Sequence, residues 1–139
     1  MTELERAAML ERASIDAGKE GLKALLLLNG GACIALLSFL ASTVGKQGLR
    51  AMELNLISGT TNALILFATG AGLAVLTCLL SYVTNQCLSA YIRGGKIKHK
   101  TLKLGKCTNR LGLLASAASL LAFFVGVFAI WRDVANVVL

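Results

Sequence analysis

Three stretches of this chain, residues 24–44, 63–83 and 111–131, carry no charged side chain, and each is 21 residues long. At a rise of 1.5 Å per residue, a helix of that length covers about 30 Å, the thickness of a bilayer's hydrocarbon core. In lipid every backbone N–H and C=O must be satisfied within the protein, so such segments are expected to be helical. A closed β-barrel would need alternating polarity over roughly ten residues at a time, and no such pattern occurs. A water-soluble bundle would need a polar face on each helix, and these runs have almost none. The expected fold is therefore an all-α integral membrane protein with three transmembrane helices and a charged N-terminal helix that is cytoplasmic or interfacial.

Composition supports this reading. Charged residues make up 15% of the chain, against about 25% in ordinary globular domains. There is no proline, which suits uninterrupted helices. The mean hydropathy is +0.73. The expected organisation is one membrane domain over residues 1–139: an N-terminal helix at 2–22, spans at 24–44, 63–83 and 111–131, and a basic cytoplasmic loop at 84–110. Asn29, Gly30 and Gly31 form a local turn signal inside the first span. A break there would leave too few residues to cross, so the helix is expected to continue through them.

Charge bias sets the expected orientation. Eleven Lys and Arg lie before the first span or between the second and third, and three lie on the opposite side. The positive-inside rule then places the N-terminus and basic loop in the cytoplasm and the C-terminus outside a cell (inner) membrane. Trp131 falls at the outer boundary, where an indole ring is favoured. Thr2 and Glu5 have capping-box spacing, and Asp16/Lys19 and Glu20/Lys23 are opposite-sign neighbours on a helix. Five acids in this segment argue against a cleavable signal.

Inside the spans, small residues recur at helical spacing. The third span offers Gly112, Ala115, Ser119, Ala122, Gly126 and Ala129. The first offers Gly31, Ala35, Ser38, Ser42 and Gly45, and the second Gly70, Ala74, Thr77, Ser81 and Thr84. Helices in lipid associate through close packing and interhelical hydrogen bonds, so these stripes read as packing faces, and a homo-oligomer is expected. Asn29 is the one amide within a span. It lies about 8 Å inside the span boundary, and Thr77, Ser81 and Ser116 sit near that level, so these four are expected to form a polar layer.

No span contains Asp, Glu, Lys, Arg or His, which argues against proton relays, ion-coupled transport and voltage sensing. His99 lies between Lys98 and Lys100, a poor place for a general base. Cys33, Cys78, Cys87 and Cys107 match neither zinc nor redox spacing. No phosphate-binding loop, nucleophile elbow or paired carboxylates occur, so neither an enzyme nor a cofactor is expected. In the basic stretch, Arg93, Lys96, Lys98, Lys100, Lys103, Lys106 and Arg110 act as topology determinants and contact anionic lipid. Nucleic acid is not an expected partner, because only Tyr91 is near enough to stack on bases. A cytoplasmic protein partner for the N-terminal helix and basic loop is a further expectation.

The run LLLLNGGACIALLSFL at 25–40, after a charged helix, and the run FATGAGLAVLTCLLSYVTNQ at 67–86 resemble a group of uncharacterised small bacterial three-span membrane proteins. The specific points are Asn29-Gly30-Gly31 and Phe67-Ala68-Thr69-Gly70. The resemblance implies a bacterial cell membrane and carries over no catalytic or binding residue. Two functions are compatible with the residues. One is a helix-packed structural or interaction component of the membrane. The other is an oligomeric pore- or lesion-forming effector (phage-defence or holin-like), for which Thr69, Thr77, Ser81 and Thr84 form only a patchy polar stripe.

Overall fold

The computed structural model describes residues 2–44, 51–92 and 98–138. They form three helices: α1 Glu3–Val44, α2 Ala51–Ile92 and α3 Lys98–Val138. Each contains a stretch long and apolar enough to cross a membrane, over Arg12–Thr43, Leu56–Ala90 and Lys103–Asn136. The helices have 42, 42 and 41 residues, so each is about 62 Å long, twice the bilayer core.

The extra length changes two boundaries expected from the sequence. α1 runs unbroken from its charged end through Asn29, Gly30 and Gly31 to Val44, so the N-terminal helix and first span are one element. The stretch 84–110 is mostly helix, not loop: α2 reaches Ile92 and α3 begins at Lys98. Gly30 and Gly31 each cost up to about 1 kcal/mol of helix propensity, but neither removes a backbone donor as proline would, so the helix is not broken there.

At its start α1 is held by a capping box. The Thr2 amide donates to Glu5 Oε2 at 2.8 Å and the Glu5 amide donates to Thr2 Oγ1 at 3.3 Å, which satisfies two otherwise orphaned donors. Lys19 pairs with Asp16 at 3.1 Å and Lys23 with Glu20 at 2.6 Å. Both pairs are exposed, so each contributes at most about 1 kcal/mol.

α2 and α3 pair antiparallel from Gly59 against Asp133 to Cys87 against Gly105, while α1 packs mainly on α2 and much less on α3. The α2–α3 register is read from facing side chains. A Cβ on Gly126 would meet the Phe67 ring, one on Gly112 would meet Leu80 and Thr77, and one on Gly105 would meet Cys87. Asp133 closes on Gly59 at the opposite end. On α3 the positions turned to α2 are Gly105, Thr108, Gly112, Ala115, Ser119, Ala122, Gly126 and Ala129, buried or half-buried. Their steps alternate between three and four residues, a period of 3.5, which keeps a seam on its partner when the pair coils left-handedly. The outward faces carry large apolar side chains such as Leu27, Ile34, Leu79, Leu114 and Phe124, all exposed.

Candidate functional site

Small seam residues let the α2 and α3 backbones approach, and one polar group in α1 decides how the third helix joins them. Asn29 has no exposed surface. Its Nδ2 donates to its own helix at Leu25 O (3.0 Å) and across to Ser119 Oγ (3.4 Å). The Ser119 hydroxyl in turn donates to Gly70 O at 2.8 Å. One chain of hydrogen bonds therefore links α1, α3 and α2. Ser119 is fully buried as well, and a buried hydroxyl or amide without a partner costs about 1–3 kcal/mol.

Gly70 is needed for this meeting. A Cβ there would lie 2.7 Å from Asn29 Cγ and closer still to Oδ1. Oδ1 accepts no hydrogen bond among the described residues. It lies where a Cβ on residue 70 would stand, so only glycine leaves room for it.

A second contact, between Phe67 and Gly126, lies one turn of α2 away. The Phe67 ring is 1% exposed, and a Cβ on Gly126 would come within 2.8 Å of its Cε1. Phe123 packs against the same ring, with centroids 5.6 Å apart. The runs around Asn29 and around Phe67 to Gly70 thus meet in space.

Several expected positions lie elsewhere. Of the eight packing residues, Gly70, Ala74, Gly112, Ser119 and Gly126 are buried between helices, but Gly31, Ala35 and Ser38 are exposed. α1 instead turns Leu25, Leu26, Asn29, Ala32, Cys33, Leu36 and Leu40 inward. Gly31 lies about 200° around the helix from Asn29, so both cannot face the same neighbour. Asn29, which has a polar group to satisfy, takes the inward position.

The polar layer is corrected in the same way. Asn29 meets Ser119, not Thr77, Ser81 or Ser116. Thr77 donates to Leu73 O at 2.9 Å, with Gly112 O at 3.4 Å across the interface. Ser116 donates to Leu113 O at 2.9 Å, and Ser81 is exposed, with Leu80 against Gly112 in its place. Equal depth from span boundaries is a poor guide, because α2 has no charge between Glu53 and Arg93 to set its boundary. The small-residue seam sets its height instead.

The seam on α3 was expected only from Gly112 onward, yet it continues past the charge-free stretches to Thr108 and Gly105. Thr84 and Thr108 hydroxyls lie 2.7 Å apart, and Cys87 is buried against Gly105. The α3 alternation of three and four, followed back to Gly105, was the available signal. Thr69 and Ser81 are exposed and Thr77 is buried, so the patchy hydroxyl stripe shares no single surface. Of the seven basic positions, Lys103, Lys106 and Arg110 are exposed on α3. Arg93 and Lys96 lie outside the described residues, as do the side chains of Lys98 and Lys100.

All four cysteines are free, with Cys78 and Cys107 exposed. Among the described residues no three His, Cys, Asp or Glu side chains converge on one point. No protein family, curated protein or solved structure matches this chain.

Proposed function

We propose that this chain is a non-enzymatic, helix-packed structural or interaction component of a cell membrane, crossing it three times with the N-terminus in the cytoplasm and the C-terminus outside. The observation that carries the reading is how its interior is occupied. Asn29, Ser119 and Thr77 are spent on joining helices, and Thr69 and Ser116 donate to their own helix. Polar groups used in this way serve packing, while the remaining surface is apolar enough to meet lipid.

The resemblance to small bacterial three-span proteins is in keeping with an inner-membrane setting. The exposed α1 face supports self-association. Gly31, Ala35, Ser38 and Ser42 are all exposed, and added Cβ atoms at Gly30 and Gly31 would meet nothing. Beyond the large exposed Leu27 and Leu28, small residues recur toward the N-terminus at Ala24, Gly21 and Ala17, also exposed. Copies in one membrane share an orientation, so two α1 helices would meet in parallel through these small positions.

The test pairs a crosslinking assay with a membrane-potential dye in cells expressing the chain. Crosslinked oligomers that disappear on Gly31→Leu, without depolarisation in either case, are the expected result. Rapid depolarisation by the wild type, abolished by Gly31→Leu, would replace this reading with a pore former. A wild type that stays monomeric would remove self-association from the proposal.

A further inference from the structure

Because α3 is helical from Lys98 onward, its cations occupy defined places around a helix instead of a diffuse loop. Lys103, Lys106 and Arg110 follow one another at steps of three and four, so they share one face. All three are exposed, and among the described residues none makes an ion pair. The face lies opposite the seam formed by Gly105, Thr108 and Gly112. It continues directly into exposed Leu113, Leu114, Leu121 and Phe124.

Along one line of α3 the side chains therefore change from cationic to aliphatic at Arg110. Charge at the headgroup level with an apolar strip beneath it is the pattern that complements an anionic phospholipid. A phosphate at that level would meet Arg110 and Lys106, with a guanidinium able to bind two phosphate oxygens at once. One acyl chain would lie along Leu113, Leu114 and Leu121. The three cations span about 10 Å along the helix axis, so the row reaches beyond the phosphate level into the cytoplasmic headgroup layer.

We propose that this face of α3 is a discrete binding site for one anionic phospholipid, distinct from the general attraction of a basic segment to a negative membrane. The proposal rests on the membrane reading above and adds a place and a ligand class to it.

The experiment uses the full chain in nanodiscs of phosphatidylcholine containing a minor fraction of phosphatidylglycerol. Lipids retained on gentle release are counted by native mass spectrometry. Three variants are compared with the wild type: K103Q/K106Q/R110Q, the equal-charge control K96Q/K98Q/K100Q, and the charge-conserving K103R/K106R/R110K. Helicity by circular dichroism shows that each variant is folded. Retention of phosphatidylglycerol should fall at least about ten-fold in the first variant, for three lost contacts. It should change less than about two-fold in the equal-charge control, and the charge-conserving variant should retain more than the first because the three charges stay. Equal losses in the first variant and its control would overturn the site and leave only diffuse attraction. No loss in either, or no preference for phosphatidylglycerol by the wild type, would overturn it too. A chain that enters neither these nanodiscs nor nanodiscs of phosphatidylcholine alone would overturn the membrane reading along with the site, so the two failures are distinguishable.

Discussion

At the residue scale, Asn29 and Gly70 act as a pair. The amide needs a partner in apolar surroundings, and the glycine gives it room to reach Ser119. Gly70→Ala should therefore destabilise the fold by about 1–3 kcal/mol, the usual range for overpacking. Asn29 is fully buried and can yield only by leaving Ser119. Gly72, two residues away, has nothing within 4 Å of an added Cβ. Gly72→Ala should be neutral or stabilise by up to about 1 kcal/mol through helix propensity. Unfolding titrations in mild detergent would compare the two, and equal effects would place the cost in the helix rather than in the contact. The hydrogen bond itself is open to a double-mutant cycle on Asn29→Ala and Ser119→Ala. A coupling of about 0.6 kcal/mol, and not above 2, is expected for such a bond. Zero coupling would mean that Ser119 serves Gly70 alone.

At the element scale, the α2–α3 register extends past the charge-free stretches to Cys87 and Gly105. A Cβ at position 105 would lie 3.3 Å from Cys87 Cβ. That is slightly closer than the usual disulfide range of about 3.5–4.5 Å, and a small shift would accommodate it. With the other three cysteines replaced by Ser, Gly105→Cys should form an intramolecular disulfide under mild oxidation. The readout is altered mobility on non-reducing gels that reductant reverses, and free thiols at both positions would contradict the register. α1 has a different standing. It joins the pair through Asn29, with Cys33 Sγ 3.9 Å from Leu64 O as a weaker contact. Its small-residue face stays open.

At the scale of the whole molecule, all three helices are about twice as long as a bilayer core is thick, so the chain extends beyond any membrane that it crosses. The proposed orientation puts the hairpin end of α2 and α3 in the cytoplasm and the end of α3 outside. Cys107 and Asn136 are both exposed, which allows a direct test. With Cys107 as the sole cysteine, an impermeant maleimide should label the chain only after cells are permeabilised. With Asn136→Cys as the sole cysteine, it should label intact cells. The reverse pattern would invert the topology.

The number of apolar stretches, their helical type and the run of the first one through Asn29, Gly30 and Gly31 were legible in the sequence, because they depend on local quantities: charge, backbone hydrogen bonding and the absence of proline; that the N-terminal helix and first span form one element was not. The α3 seam was legible too, since its regular alternation of small residues is itself the packing surface. The expectation for α1 placed Asn29 and Gly31 toward the same neighbours. Helix geometry already ruled that out, yet only the packed structure decided which of them turns inward. The partner of Asn29 was out of reach for another reason. Thr77, Ser81, Ser116 and Ser119 are chemically almost equivalent, and their heights depend on how far α2 slides along α3. α2 carries no charge over the whole of its apolar length to anchor it, so that sliding is settled by where Phe67 meets Gly126 and Gly70 admits Asn29. The sequence by itself determined which segments are apolar helices. Tertiary packing decided their rotation and relative height, because both depend on contacts between residues distant in the chain.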